Sequence, residues 1–332
     1  SPLDGWAYGN LKVTGTVKEP ELTGDLNLKR TRFGIAILNT SYNIDGDAQV
    51  HLGPNEIVLK PLTLRDQTGL ADHYAKASGT IKHKYFRDFE LDIRVDMNQL
   101  LCLNTTARDN DLYYGTAYGT GSYHLTGTPK QLKMDIVAKA NRGTKFYIPM
   151  SSSSTIVQQD FIRFVGVNAV VDSSNQYRAN LSGIELNFDL EIDDQTELDI
   201  IFDASVGDII HARGNANLQL EISTLGQFNM YGNYYITEGE YLFTLERVIN
   251  KRFRIDPGGT IQFTGDPYNA QLNVNAYYSK RISVYPLQLP ADTSGNKIPV
   301  EVWLNISESL STPTITPSIK LPNSSDALRS QF

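Results

Sequence analysis

Residues 226–278 read GQFNMYGNYYITEGEYLFTLERVINKRFRIDPGGTIQFTGDPYNAQLNVNAYY. Apolar side chains fall on alternate positions: Phe228, Met230, Tyr234 and Ile236, then Tyr241, Phe243 and Leu245, then Ile261 and Phe263, then Leu272, Val274 and Ala276. A helix collects residues three and four apart on one face, whereas a strand collects every second residue. The stretch is therefore a series of short strands, each with one apolar and one polar face, separated by glycine-bearing turns.

The same period extends outward in both directions. Ile184, Leu186, Phe188, Leu190 and Ile192 alternate with Glu185, Asn187, Asp189 and Glu191, and Ala216, Leu218, Leu220 and Ile222 alternate with Asn217, Gln219 and Glu221. Further toward the N-terminus come Leu11-Val13-Val17, Phe33-Ile35-Ile37, Tyr42-Ile44-Ala48-Val50, Phe89-Leu91-Ile93-Val95-Met97 and Leu132-Met134-Ile136. Thr14-Gly15-Thr16, Ser78-Gly79-Thr80 and Thr126-Gly127-Thr128 repeat one short pattern, which suggests an elongated array of stacked units. Glycine between hydroxyl residues is also ordinary turn chemistry. Two stretches break the rhythm. Ser151 to Val165 reads as a serine run leading into a short helix, and Leu289 to Pro299 as a surface loop before a last strand, Val300 to Ile306. Asn323 to Phe332 reads as the start of a helix. The expected organisation is one elongated β array over 1–332: repeat-like strands over 1–140, an irregular insertion with a short helix over 141–177, and a C-terminal domain over 178–332.

Composition narrows the function. A net charge of -7 over 332 residues argues against nucleic acid as a partner, because phosphate binding depends on clustered Lys and Arg. One cysteine, Cys102, leaves no intrachain disulfide, and in Leu101-Cys102-Leu103 it reads as a small core residue. No run approaches the ~20 apolar residues of a spanning helix, and the first residues do not form a signal sequence. The missing initiator Met suggests a piece of a longer chain. His51, His73, His83, His124 and His211 lie in no metal-ligand spacing, and His83 and His124 are expected on polar strand faces. Phosphate-cradling glycine loops and a nucleophile elbow are absent, so neither a cofactor nor a catalytic residue is expected. Asp45-Gly46-Asp47 and Asp109-Asn110-Asp111 read as turns, and Asp193, Asp194 and Asp199 as a solvated face or turn.

The ordered motifs from Gly183 to Pro322 resemble the C-terminal domain of the TamB family. They are Ala216–Ser223 (ANLQLEIS), Thr224-Leu225-Gly226-Gln227-Phe228, the Gly232 to Leu245 pair, Ile249-Asn250-Lys251-Arg252-Phe253, Gly265-Asp266-Pro267-Tyr268, Tyr285-Pro286-Leu287 and Ile319-Lys320-Leu321-Pro322-Asn323. Over residues 1–140 only the looser glycine pattern carries the likeness. The resemblance implies an all-β, elongated, curled sheet of the AsmA-like group, a β-taco or open half-pipe with an apolar interior and one or two short helices. It implies a periplasmic location, anchoring to the inner membrane through a segment absent here, and phospholipid movement toward the outer membrane. It also implies a TamA-type barrel of the Omp85 class as partner, through another absent segment.

An apolar sheet face either closes against a second sheet or stays open as a trough. The 18 tyrosines, several paired as in Tyr113-Tyr114, Tyr234-Tyr235 and Tyr277-Tyr278, place one ring on each face and suit a surface meeting lipid. The expected function is a non-enzymatic lipid conduit for phospholipid acyl chains. Its expected lining is Ile184, Leu186, Phe188, Leu190, Leu218, Leu220, Phe228, Met230, Tyr241, Phe243, Leu245, Ile261, Phe263, Leu272 and Val274, and a one-residue slip of any strand would invert the assignment. The alternative is a periplasmic chaperone that captures strands of barrel proteins on a sheet edge.

Overall fold

Among the described residues, alternation at period two is realised as nineteen β-strands joined in one sheet. A computed structural model describes residues 4–109, 113–150, 183–203, 207–223, 228–245, 249–283 and 297–322. The expected helices over Ser151–Val165 and Asn323–Phe332 lie outside them, as does most of the expected Leu289–Pro299 loop. Among the described residues the only helical pieces are two single 3-10 turns, Ala36–Leu38 and Pro267–Asn269.

The sheet begins with β1 (Asp4–Gly15), which pairs with β2 (Pro20–Ile35). β3 (Thr40–Asp45) and β4 (Asp47–Leu52) share the next row, broken at Gly46, where φ is 72°. Then come β5 (Glu56–Asp66), β6 (Tyr74–Lys84), β7 (Arg87–Thr105) and β8 (Tyr114–Thr128), each antiparallel to the last. β9 (Gln131–Ala140) and β10 (Lys145–Pro149) share one row. β11 (Ile184–Ile192) and β12 (Glu197–Asp203) share the following one, running parallel to it. β13 (Asp208–Ser223) and β14 (Phe228–Leu245) follow antiparallel. β15 (Ile249–Ile255) and β16 (Thr260–Gly265) form a split row, and β17 (Gln271–Ser283), β18 (Lys297–Ser309) and β19 (Thr314–Lys320) complete the sheet. Four rows hold two strands each, so nineteen strands make fifteen rows. At ~4.8 Å per step the sheet is ~67 Å long across its strands.

Proline positions follow hydrogen-bond demand. Pro61 sits in the register shift between Leu59 and Leu62 of β5, where the ladder is interrupted. Pro299 lies in β18 opposite Arg281 of β17 and beyond Glu301, the last residue paired with β19, so on the β19 side it interrupts no ladder. β18 thus begins at Lys297, earlier than the Val300 expected from sequence. The Gly-Thr pattern does not mark one unit. Gly15 and Gly127 end strands at left-handed φ of 85° and 105°, and a Cβ added to either would lie 2.2 Å from a carbonyl oxygen across the turn. Gly79 instead lies within β6, where a Cβ would meet the Asp92 carbonyl oxygen at 2.3 Å. Turn chemistry explains two copies and close strand approach the third.

The sheet curls so that its apolar face is inside. One cluster gathers Tyr42, Leu64, Ala75, Ala77, Val95, Met97 and Leu100 from the N-terminal strands. A larger one gathers Ile210, Leu218, Tyr234, Tyr241, Phe253, Ile261, Phe263, Val274 and Ile306 from the C-terminal strands. Tyr234 is buried while Tyr235 is exposed, as strand alternation requires. Tyr278 packs on the larger cluster, and its neighbour Tyr277 stacks on Trp303 at 5.0 Å.

Asp208, at the start of β13, is half-buried, and that burial raises its carboxyl pKa even though the Tyr241 hydroxyl hydrogen-bonds to it. A raised folded-state value means its stabilising contribution is complete below the unfolded value and is lost as pH rises through the folded one. Asp208→Asn, which keeps an acceptor for Tyr241, is therefore predicted to melt above the parent at pH 7 and with it at pH 3. Thermal melts at the two pH values check this, and an equal shift at both would refute it.

Candidate functional site: an accessible apolar strip

Cross-strand register places one apolar file across the inner face. Leu59, Gly79, Ile93, Leu125, Met134, Leu186, Ile222 and Phe228 each lie opposite the next, on β5, β6, β7, β8, β9, β11, β13 and β14. Every one is half-buried: none is sealed and none fully exposed. Eight rows at ~4.8 Å make the file ~34 Å long. A second file beside it, Tyr123, Ile136, Phe188 and Leu220, is half-buried too. Together they form a strip of accessible apolar surface crossing the strands, with no charged side chain among its members.

The strip is bounded on one side by sealed packing. The neighbouring positions Leu64, Ala75, Met97, Ala138 and Leu218 are buried. Beyond them Asp66, also buried, accepts from the Leu101 N–H at 2.8 Å and lies 3.3 Å from His73 Nδ1. The Tyr42 hydroxyl donates to the Leu101 carbonyl oxygen at 2.9 Å. These bonds satisfy backbone groups freed by the register shifts of β7 between Met97 and Leu103, so the curl is pinned by polar contacts at its closed side. Cys102 lies there, half-buried, with Sγ 3.8 Å from Met97 Sδ, and burial pushes its thiol up to about 12.

The fifteen sequence-expected lining residues divide by accessibility. Leu186, Phe188, Leu190, Leu220 and Phe228 are half-buried on or beside the strip. Phe243 is half-buried at the opposite strand end, its ring 5.7 Å from Tyr241 and 6.1 Å from Phe253. Leu218, Met230, Phe263 and Leu272 are buried, and Tyr241, Ile261 and Val274 are at most 1% exposed. Ile184 and Leu245 take strand backbone. The candidates missed Leu59, Ile93, Leu125, Met134 and Ile222. Their alternation was visible in part, but only register shows that they continue the Leu186 and Phe228 file.

Polar positions line the other face. Asn187 Nδ2 donates to Asp135 at 2.8 Å, and His124 Nε2 meets Asp92 at 2.7 Å. These contacts hold both carboxyls below the usual range. Two expectations are corrected here. His83 is buried, stacked 4.4 Å from Phe86, and burial lowers its pKa, so it does not occupy a solvated face. Asp199 is buried too, held 2.8 Å from His211 Nδ1 and 3.4 Å from Lys145 Nζ. Cross-strand charge pairing on a curled sheet removes it from solvent. A polar cleft of about 720 Å³ lies nearby, lined by Arg142, Lys145, Asp194, Glu197, Arg213 and Glu238. Lys145 and Arg213 are already paired with Glu197, and Arg213 also with Glu238. Among the described residues no cluster of His, Cys, Asp and Glu could hold a metal ion, and no helix is long and apolar enough to cross a membrane.

A single long sheet among the described residues, curled around an apolar face, defines an elongated, curled all-β protein. The TamB C-terminal domain family matches residues 62–330, and the chain belongs to the TamB family. The match starts within β5, just after Leu59, so it takes in the strip from Gly79 onward as well as the Gly183 to Pro322 motifs. The family is periplasmic and membrane-associated, a non-enzymatic transport and assembly module of outer-membrane biogenesis that generally works with TamA-type partners. No curated protein gives a significant match to the chain.

Proposed function

We propose that the chain shields phospholipid acyl chains as they pass between the inner and outer membranes, with the strip from Leu59 to Phe228 as the contact surface. The observation that supports this most is an uninterrupted, uncharged file of half-buried apolar residues running across the strands. Exposing an acyl pair to water costs ~0.8 kcal/mol per methylene, upward of ~20 kcal/mol per lipid. A strip running across many strand rows offsets much of that at every step and asks for no reaction by the protein. Leu186, Phe188, Leu190, Leu220 and Phe228 are the lining residues of this reading. Leu218, Met230, Tyr241, Phe243, Ile261, Phe263, Leu272 and Val274 form its walls and supports, and Ile184 and Leu245 belong to strands that carry it. A TamA-type barrel is the proposed partner at the outer membrane, and the inner membrane the proposed anchor.

Native mass spectrometry of protein released gently from membranes is expected to show bound phospholipid. Protein that carries none, and takes up none from phospholipid vesicles, would end the proposal. A strand-capturing chaperone is the second reading, favoured by β1. This twelve-residue edge strand is exposed throughout, with Trp6 at 74% and Val13 at 68%. Among the described residues it pairs only with β2, and its other edge is suited to adding a strand. Crosslinkers on β1 that trap unfolded barrel protein, with none trapped from the strip, would favour that reading.

A further inference from the structure

The accessible strip does not run the whole sheet. β14 extends to Phe228, but β16 stops at Gly265, opposite Met230, and β17 begins only at Gln271, opposite Gln262. No strand row continues the file beyond Phe228 among the described residues. The 3-10 turn Pro267–Asn269 follows this step and lies against β16 and β14. That turn is tied to the far strands: the Leu310 N–H donates to the Ala270 carbonyl at 2.8 Å and the Ser311 N–H to the Tyr268 carbonyl at 3.0 Å. Ala270 and Leu310 are buried there. Deeper in the same rows Ile261, Val274 and Ala276 are 0% exposed, and Tyr234 and Ile306 are 1% exposed. Interiors packed this closely have no vacant volume for a chain of methylenes, and admitting one would require the strands to part.

From this we infer that the acyl path ends at the step beside Phe228: the sealed middle of β14 to β18, around Tyr234, Ile261, Val274 and Ile306, forms a closed plug, and a chain leaves sideways over the shortened edge of β16 rather than running on to β19. The inference rests on the conduit reading and gives it an end point. The ligand is an alkyl chain of membrane-lipid length. A bilayer core of about 30 Å holds two leaflets, so one chain needs about 15 Å, and the ~34 Å file accommodates two lipids in succession. The closed rows then serve as a rigid stop.

Photo-leucine replaces leucine with little change in shape, so it probes both regions without disturbing packing. The full chain carrying it is illuminated with phosphatidylethanolamine and phosphatidylglycerol vesicles, and lipid adducts are mapped by peptide mass spectrometry. Adducts at Leu59, Leu125, Leu186 and Leu220 with none at Leu272 or Leu304 are expected. Adducts at Leu272 and Leu304 matching those of the strip would overturn the plug while leaving the conduit standing. No adduct at any leucine would overturn the conduit, and the end point with it.

Discussion

Leu186→Asp is expected to stop phospholipid transfer while leaving the fold standing. Leu186 is half-buried between Met134 and Ile222 at the middle of the file. In the lipid-free protein a carboxylate there keeps contact with water, and the lost apolar contact costs about 1 kcal/mol of stability. Once an acyl chain covers the position that water is gone, and the uncompensated charge costs several kcal/mol. Each ~1.4 kcal/mol is tenfold in rate, so transfer between donor and acceptor vesicles should fall by about a hundredfold or more. A fluorescent-phospholipid transfer assay beside a thermal melt checks it. Undiminished transfer would remove Leu186 from the path, and a collapsed melt would make it a core residue.

Ile261→Asp should do the reverse. Ile261 is 0% exposed, opposite Tyr234 on β14 and Leu272 on β17, inside the larger cluster. With no partner for a charge there, the substitution should destabilise by about 4 kcal/mol or more, whereas Ile261→Val should cost only about 1. Urea denaturation and limited proteolysis read the difference. If Ile261→Asp unfolded with the parent's midpoint, water would have to reach this position, and the closed packing around it would be wrong. The two substitutions add the same group to neighbouring strand systems, so their contrast separates accessible strip from sealed interior.

Which side of each strand faces inward was legible because alternation is a local property. Leu186, Leu190, Leu218 and Leu220 are written on the chain at period two, and the structure keeps them on one face. How strands lie against each other was not legible. β9 and β11 read as ordinary amphipathic strands, and nothing in Leu132–Ile136 or Ile184–Ile192 announces that they pair in parallel across 52 residues, as Leu132 and Ile184 do. Exposure was equally hidden. Leu186 and Val274 look alike in sequence, yet one sits on the strip and the other is sealed, because the difference comes from where the sheet curls and where β16 stops. Asp199 was misread for the same reason: alternation puts it on the polar face, but only register brings His211 and Lys145 over it.

Among the described residues the parallel pairings, β9 with β11 and β10 with β12, are the one seam not closed by a hairpin or a split row. The meanders on either side can zip up from local contacts, which form quickly, whereas the seam brings together positions 52 residues apart in the chain. It falls between Met134 and Leu186, in the middle of the strip. Each half alone would carry a fragment of greasy surface ending in raw strand edges, the form of intermediate most prone to sticking to its neighbours. On the conduit reading, the continuous path is therefore expected to form only when the two halves meet.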